Sequence, residues 1–158
     1  MPNMKNFRIM DLFEQVNNDI KAAMLAHESV RLAALRGIKK EFLEAKTAKN
    51  SNGELSEETA IKILQKMVKQ RKESAEIFQS QNRADLAENE LAEAGFIEAY
   101  LPKQLSAEEI EAEVKKIIEQ TGAQGMKDMG KVMGTASKAL AGKADGKAIS
   151  EVVKRLLA

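Results

Sequence analysis

The sequence carries few side chains of the kinds that catalyse reactions. It has one histidine, His27, and no cysteine. A catalytic histidine needs a nucleophile and an orienting group around it, and the sequence places no clear partner near His27. The glycine-rich patterns that bind phosphates or dinucleotides are also absent. We interpret His27 as a helix-end residue, and the sequence predicts no catalytic residue and no cofactor.

A dense cluster of carboxylates raises the question of a metal site. It consists of Glu108, Glu109, Glu111 and Glu113. All four follow Ser106 in the first turns of a predicted helix, where acidic groups stabilise the positive helix end. The pattern therefore favours a capped helix over a calcium or magnesium site, and no metal is predicted.

Basic side chains near the end of the chain suggest a binding surface. At 100° per residue, Lys127, Lys131 and Lys138 lie within about 40° of one another on a predicted helix. Lys147 and Lys154 align likewise on the last helix. Aligned ammonium groups suit the phosphates of a nucleic acid, which they would recognise by backbone shape. The candidate nucleic-acid-binding residues are Lys127, Lys131, Lys138, Lys143, Lys147, Lys154 and Arg155.

An ordinary solvated surface explains the same lysines, because lysine is mostly exposed in folded proteins. The region 106–158 has no aromatic residue, although aromatic rings usually stack on single-stranded bases. Solvation also accounts for a second strip on an earlier helix, formed by Lys62, Lys66 and Lys69. Charge is nevertheless uneven, since residues 122–158 hold seven basic and three acidic groups while residues 76–113 hold two and ten. Both interpretations remain open.

The elements that position these residues are predicted to be helices. Apolar residues recur at three- and four-residue spacing, and aromatic residues make up only 4% of the 158 residues. The sequence predicts an all-α protein with an N-terminal long-helix domain of helical hairpins (residues 1–101), a linker (102–105) and a small C-terminal three-helix domain (106–158). The predicted helix caps are Ser56, Ser106 and Asp145.

Two placements within these helices lead to specific expectations. Arg71 falls inside the apolar row of the third helix, and we expect it to pair with Glu90 across an antiparallel hairpin, because an unpaired charge there would be costly. In the sixth helix an apolar seam is predicted from Met126 to Leu140. Gly130 and Gly134 lie beside that seam and are expected to allow another backbone to approach closely.

The composition also bears on location. Absence of cysteine fits a reducing compartment, and the N-terminus lacks the apolar run of a secretory signal. No stretch approaches the roughly 20 apolar residues of a membrane-spanning helix. The sequence therefore predicts a soluble cytoplasmic protein, with Met1 or Met10 as its first residue.

Several sequence strings, taken in order, are more specific than the periodicity. They are KQRKESAEIF, NRADLAENE, YLPKQLSAEEI, DMGKVMG and GKADG. Together they resemble the YqeY-like family, also called GatB/YqeY, over residues 11–158. Two positions depart from the family pattern, because Asn82 stands where the family commonly has glycine and Lys143 where it commonly has arginine. Lysine keeps the charge at the second position but loses the planar fork of arginine.

The resemblance implies a fold of two helical domains similar to the tail of the B subunit of glutamine-dependent aspartyl/glutamyl-tRNA amidotransferase. In that enzyme the tail contacts tRNA, and other domains perform the reaction. The resemblance thus implies a non-catalytic tRNA-binding accessory protein. An alternative is a protein-interaction module that docks on an aminoacyl-tRNA synthetase or an amidotransferase subunit. A carbon–nitrogen ligase with glutamine as amido-nitrogen donor is also suggested by the family, without support from this chain's own residues.

Overall fold

The computed structural model describes residues 11–158, and these residues contain helices and no strand. This confirms the predicted all-α class. The choice between Met1 and Met10 falls outside the described residues. None of the described helices is both long and apolar enough to cross a bilayer. The helices are Leu12–Leu25 (α1), Ser29–Lys46 (α2), Glu57–Ser80 (α3), Ala84–Glu98 (α4), Ala107–Thr121 (α5), Met129–Ala139 (α6) and Gly146–Leu157 (α7).

The chain divides into two compact units, which we call the N-unit and the C-unit. The N-unit ends at Leu101 and contains α1 to α4, and the C-unit spans Pro102–Ala158 and contains α5 to α7. Within the segment expected to be a linker, the Leu105 N–H donates to the Lys143 carbonyl at 2.9 Å. The Gln104 side chain donates to the Gly142 carbonyl at 2.7 Å. These bonds fix the start of the C-unit against its own α6–α7 loop.

The N-unit is built on two helical hairpins, α1–α2 and α3–α4. Its buried core consists of aliphatic side chains with Met67 and Phe42, spaced so that they share one side of each helix. The turn of the second hairpin contains Asn82 in the left-handed conformation, with φ of 59°. Asparagine adopts this conformation more readily than most residues, which explains why a glycine is not required there. The largest fully buried side chains of the N-unit are Val16, Leu35, Ile38, Phe42, Leu64 and Ile97.

The C-unit has a separate core among its three helices. Val114 of α5, Val132 of α6 and Val153 of α7 are fully buried at its centre. A short 3-10 turn, Met126–Asp128, leads into α6. Gly122 ends α5 in the left-handed conformation, with φ of 67°. The three helices present their apolar stripes to one another and leave their opposite faces exposed.

The helix starts follow local capping rules. The Ser56 hydroxyl accepts the Thr59 N–H at 3.1 Å. The Ser106 hydroxyl accepts the Glu109 N–H at 3.2 Å, and the Glu109 carboxylate accepts the Ser106 N–H at 3.1 Å, which completes a capping box. Asp145 occupies the N-cap position of α7 but makes no capping hydrogen bond to that helix through its side chain.

Candidate nucleic-acid interface

The two glycines of α6 face outward, contrary to the expectation of close packing within the chain. A Cβ added at Gly130 or Gly134 would meet no described atom within 4 Å. The buried side of α6 is formed by Val132, Ala136 and Leu140 instead. Most of the predicted seam lies on this buried side, and its exception, Met126, stands in the 3-10 turn before α6 and is 49% exposed. No backbone of the described chain uses the space above the glycines.

This exposed side of α6 forms a shallow groove with lysines along it. The groove is lined by Gly130, Lys131, Gly134, Thr135 and Lys138. We call it the α6 groove. Of the seven predicted binding residues, the structure brings Lys131 and Lys138 into it, and both are exposed. Helix α6 contains no acidic residue, so positive charge dominates the groove.

Two of the predicted residues already have partners. The Lys131 ammonium donates to the Thr121 carbonyl at the end of α5, with an N–O distance of 3.4 Å. Arg155 binds the Glu111 carboxylate at 3.2 Å, and Lys115 binds the same carboxylate at 3.3 Å. These bonds lower the pKa of Glu111, the hydrogen bond from Arg155 being the main cause. Arg155 is thus less available to a phosphate than the exposed lysines.

The five other predicted lysines are exposed, and within the described chain none of them forms an ion pair. Lys138 and Lys154 stand in the last turns of α6 and α7, where positive charge also stabilises the negative helix end. Apart from Lys138, none lines the α6 groove. The predicted surface therefore has one structurally defined part, the α6 groove. The lysines in question are Lys127, Lys138, Lys143, Lys147 and Lys154.

Arg71 pairs with Glu93, so the predicted pair with Glu90 is wrong. The Arg71 Nε and a Glu93 carboxylate oxygen are 3.8 Å apart, an ion-pair distance too long for a hydrogen bond. Arg71 and Glu93 stand at equal sequence distances from Asn82, the left-handed residue of the turn. Glu90 lies three residues, or about one helical turn, before Glu93, so the prediction missed the register of the hairpin.

The Arg71–Glu93 pair is partly buried, with 21% and 14% of the two side chains exposed. The Arg71 Nε is buried, and no atom of residues 11–158 forms a hydrogen bond with it. Burial raises the pKa of Glu93, while the nearby Arg71 opposes that rise. A Cβ added at Gly37 would lie 3.4 Å from the Arg71 guanidinium. This pair therefore forms part of the packing within the N-unit.

A polar cluster around Tyr100 was missed by the sequence reasoning. The Tyr100 hydroxyl donates to the Asp19 carboxylate. Arg31 lies 3.9 Å from Asp19 and 2.9 Å from Glu28. Burial, together with the Asp19 carboxylate, raises the pKa of Tyr100. The cluster connects the end of α4 with α1 and α2. Residues so far apart in the sequence share no local pattern from which these contacts could be predicted.

The remaining candidates have structural surroundings. His27 is exposed and left-handed, with φ of 57°, at the junction of α1 and α2. The Glu28 N–H donates to the Ala23 carbonyl at 3.0 Å, a bond typical of a helix C-terminus with a left-handed residue. In the acidic cluster, Glu113 lies 3.4 Å from Lys116. Within residues 11–158, no group of three or more His, Cys, Asp or Glu residues is placed to hold a metal ion.

The fold and its surfaces define a class: a small all-helical protein of two units, with a lysine-lined groove on the second. Comparison with known proteins gives the family. The family model described as YqeY-like protein matches residues 13–157. The chain belongs to this family, and the resemblance seen in the sequence strings is confirmed.

Curated relatives carry the name altered inheritance of mitochondria protein 41, mitochondrial. The protein from Meyerozyma guilliermondii is 32% identical over 143 residues, which cover 85% of this chain and 74% of that protein. The protein from Clavispora lusitaniae is 38% identical over 93 residues, or 57% and 51% of the two chains. The protein from Pyrenophora tritici-repentis is 28% identical over 144 residues, or 88% and 77%. The chain thus spans between about half and three quarters of these relatives.

The names of the relatives contradict the predicted cytoplasmic location, because they describe mitochondrial proteins. The prediction depended on the absence of cysteine. A chain with no thiol cannot form a disulfide in any compartment, so its composition does not distinguish one compartment from another. That prediction is therefore corrected.

Proposed function

We propose that this protein is a non-catalytic tRNA-binding accessory protein whose α6 groove contacts the RNA backbone. The observation that carries the proposal is the pair of glycines under open space, flanked by exposed lysines. Gly130 and Gly134 form the floor, and Lys131 and Lys138 lie beside them. No acidic residue of α6 opposes an incoming phosphate.

The chemistry of the groove fits a sugar–phosphate backbone better than a base. Ammonium groups neutralise phosphates and release the counterions condensed around them, which drives binding without reading sequence. A glycine floor lets the backbone approach the helix more closely than any larger side chain would. The C-unit has no aromatic residue on which bases could stack. The groove would therefore select an RNA by the spacing of its phosphates.

Membership of the YqeY-like family supports the proposed tRNA-binding function. The resemblance to this family implies a similarity to the tail of the amidotransferase B subunit, whose role is to contact tRNA. Two of those strings, DMGKVMG and GKADG, contain the glycines and the first lysine of the groove and the loop that follows α6. The resemblance thus covers the same region as the α6 groove.

A titration of labelled tRNA with the full chain tests the proposal. We expect saturable binding at low ionic strength, weakened about tenfold or more by the double change Lys131→Gln and Lys138→Gln, because two phosphate contacts are lost. The matched control, Lys62→Gln with Lys66→Gln, removes the same charge from exposed positions of α3. It should leave the affinity within about twofold.

Thermal melts of both double variants guard against misfolding as an explanation. Failure to bind tRNA at low ionic strength would refute the proposal. Equal losses in the two double variants would also refute it, since binding would then follow net charge and not the α6 groove.

A further inference from the structure

Helix α4 is apolar on two opposite sides, and only one of them is covered. Its inner side buries Ala87, Ala94 and Ile97 against the rest of the N-unit. On the other side Leu91 remains 43% exposed and Phe96 remains 37% exposed. A helix at the surface of a globular protein normally places polar residues on its outer face. The exposed apolar side of α4 therefore lacks an explanation within the described chain.

The exposed residues form one continuous strip. At 100° per residue they lie within an arc of about 140°. A Cβ added at Gly95 would meet no described atom within 4 Å, so the strip is open at its centre. Glycine inside a helix costs about 1 kcal/mol relative to alanine, and nothing in the described part of the N-unit requires it there. We call this strip the α4 outer face; it consists of Leu91, Ala92, Gly95, Phe96 and Ala99.

The small residues of the strip favour a helix as the covering element. Gly95 and Ala99 are four residues apart and lie on the same side of α4, with Ala92 beside them. Small side chains at this spacing let the axes of two helices come close together. Leu91 and Phe96 stand on either side of the small residues and would bury against the apolar side of an incoming helix. Contiguous exposed apolar patches of this kind commonly mark interaction sites.

Charge decides what kind of helix fits. Helix α4 contains five acidic residues and no basic one. Arg71 and Lys72 of α3 pair with Glu93 and Glu98 at the two edges of the helix. Glu88 lies in the same arc as the strip, one turn towards the N-terminus, and no ion pair of the described chain engages it. A second α4 packed on this face would bring like charges together, and an RNA or an anionic lipid surface would be repelled.

We infer that the α4 outer face docks an amphipathic helix of a protein partner, with lysine or arginine flanking that helix's apolar side. Leu91 and Phe96 would bury against the apolar side of the partner, and Gly95 would allow close approach. Glu88 would bind a basic residue at one end of the partner helix. This surface lies in the N-unit, so the inference stands independently of tRNA binding by the C-unit.

Two synthetic peptides test the inference against the full-length chain. Each is a helix of about five turns, or roughly 18 residues. One carries leucine and alanine on one side with lysine at both flanks, and the other has glutamate in place of each lysine. Fluorescence anisotropy measures both affinities. We expect the lysine peptide to bind about tenfold or more tightly than the glutamate peptide.

Three substitutions locate the binding. Leu91→Ser and Phe96→Ser should each weaken the lysine peptide about fivefold or more, because each removes a central apolar contact. The matched control is Leu25→Ser in α1, where the leucine is 83% exposed. It should leave the affinity unchanged. All three leucine or phenylalanine positions are exposed, and circular-dichroism melts check that the variants fold.

Three results would overturn the inference. Equal binding of the two peptides would remove the charge argument, and unchanged binding in both α4 variants would place the peptide elsewhere. Sedimentation that shows a dimer abolished by Phe96→Ser would identify a second copy of the chain as the occupant instead.

Discussion

The N-unit and the C-unit each expose a helix face with glycine at its centre, and the two faces differ in charge. At both Gly95 of α4 and Gly134 of α6, an added Cβ would meet no atom of the described residues within 4 Å. Helix α4 surrounds its glycine with apolar side chains and has only acidic charges, whereas α6 surrounds its glycines with lysines and has no acidic charge.

The comparison separates two roles that a surface helix can combine. Glycine determines how closely a partner can approach, since it removes the side chain from the contact. The neighbouring charges determine which partner is attracted. On this basis we propose a basic helix for the α4 outer face and a phosphate backbone for the α6 groove.

The largest effect is expected from replacing the two glycines of the α6 groove. Gly130→Ala with Gly134→Ala should stabilise the C-unit by about 2 kcal/mol, because alanine is the better helix former and the added methyl groups meet nothing. The same change should weaken tRNA binding by raising the floor of the α6 groove. Thermal denaturation and the tRNA titration provide the two readouts. Loss of stability would mean that the glycines serve the fold.

Gly95→Ala is the matched change in the N-unit. It should stabilise α4 by about 1 kcal/mol and weaken the lysine peptide while leaving tRNA binding intact. If this variant reduced tRNA binding as strongly as the α6 double variant, the two faces would not act separately.

Removing a helix cap should have a smaller effect, and each unit offers one serine cap to test. Ser106→Ala should destabilise α5 by about 1 kcal/mol, and Ser56→Ala should do the same to α3. The caps differ in their third residue, which is Glu109 in the C-unit and Thr59 in the N-unit. Hydrogen exchange measured by mass spectrometry would assign each loss to its own helix, and a loss that appeared equally in both units would contradict this separation.

The pH dependence follows from the capping box. The backbone N–H of Ser106 lowers the pKa of Glu109 below its ordinary value of 4.5. Because the folded-state pKa is depressed, this contribution to stability is present above pH 4.5 and is lost as the pH falls through the folded-state value. Glu109→Gln should therefore reduce the stability of α5 at pH 7, and the difference from the unmodified chain should shrink as the pH falls below 4.5. No equivalent carboxylate stands at the third residue of the α3 cap.

Much of the fold could be predicted from local signals in the sequence. Ser106 and Glu109 are three residues apart, so their capping box is visible without any tertiary information. The seven helices follow from apolar periodicity in the same way. The ordered sequence strings indicated the family.

Features that depend on register or on distant contacts were less accessible. The partner of Arg71 was predicted only from its similar distance to the turn, which did not distinguish Glu90 from Glu93, one helical turn further along. The predicted seam of α6 included Met126, which has the right spacing but lies in the turn before the helix and is 49% exposed. The Tyr100–Asp19 bond joins residues 81 positions apart, and periodicity carries no information about such a pair.

The salt dependence of tRNA binding tests the central claim most directly. Each phosphate neutralised should contribute about 0.7 to 0.9 to the slope of log affinity against log salt concentration. We expect a steep slope for the unmodified chain, reduced by about 1.5 when Lys131 and Lys138 are both replaced by glutamine and unchanged when Lys62 and Lys66 are replaced. A flat salt dependence, or the same slope in all three proteins, would contradict a phosphate-binding role for the α6 groove.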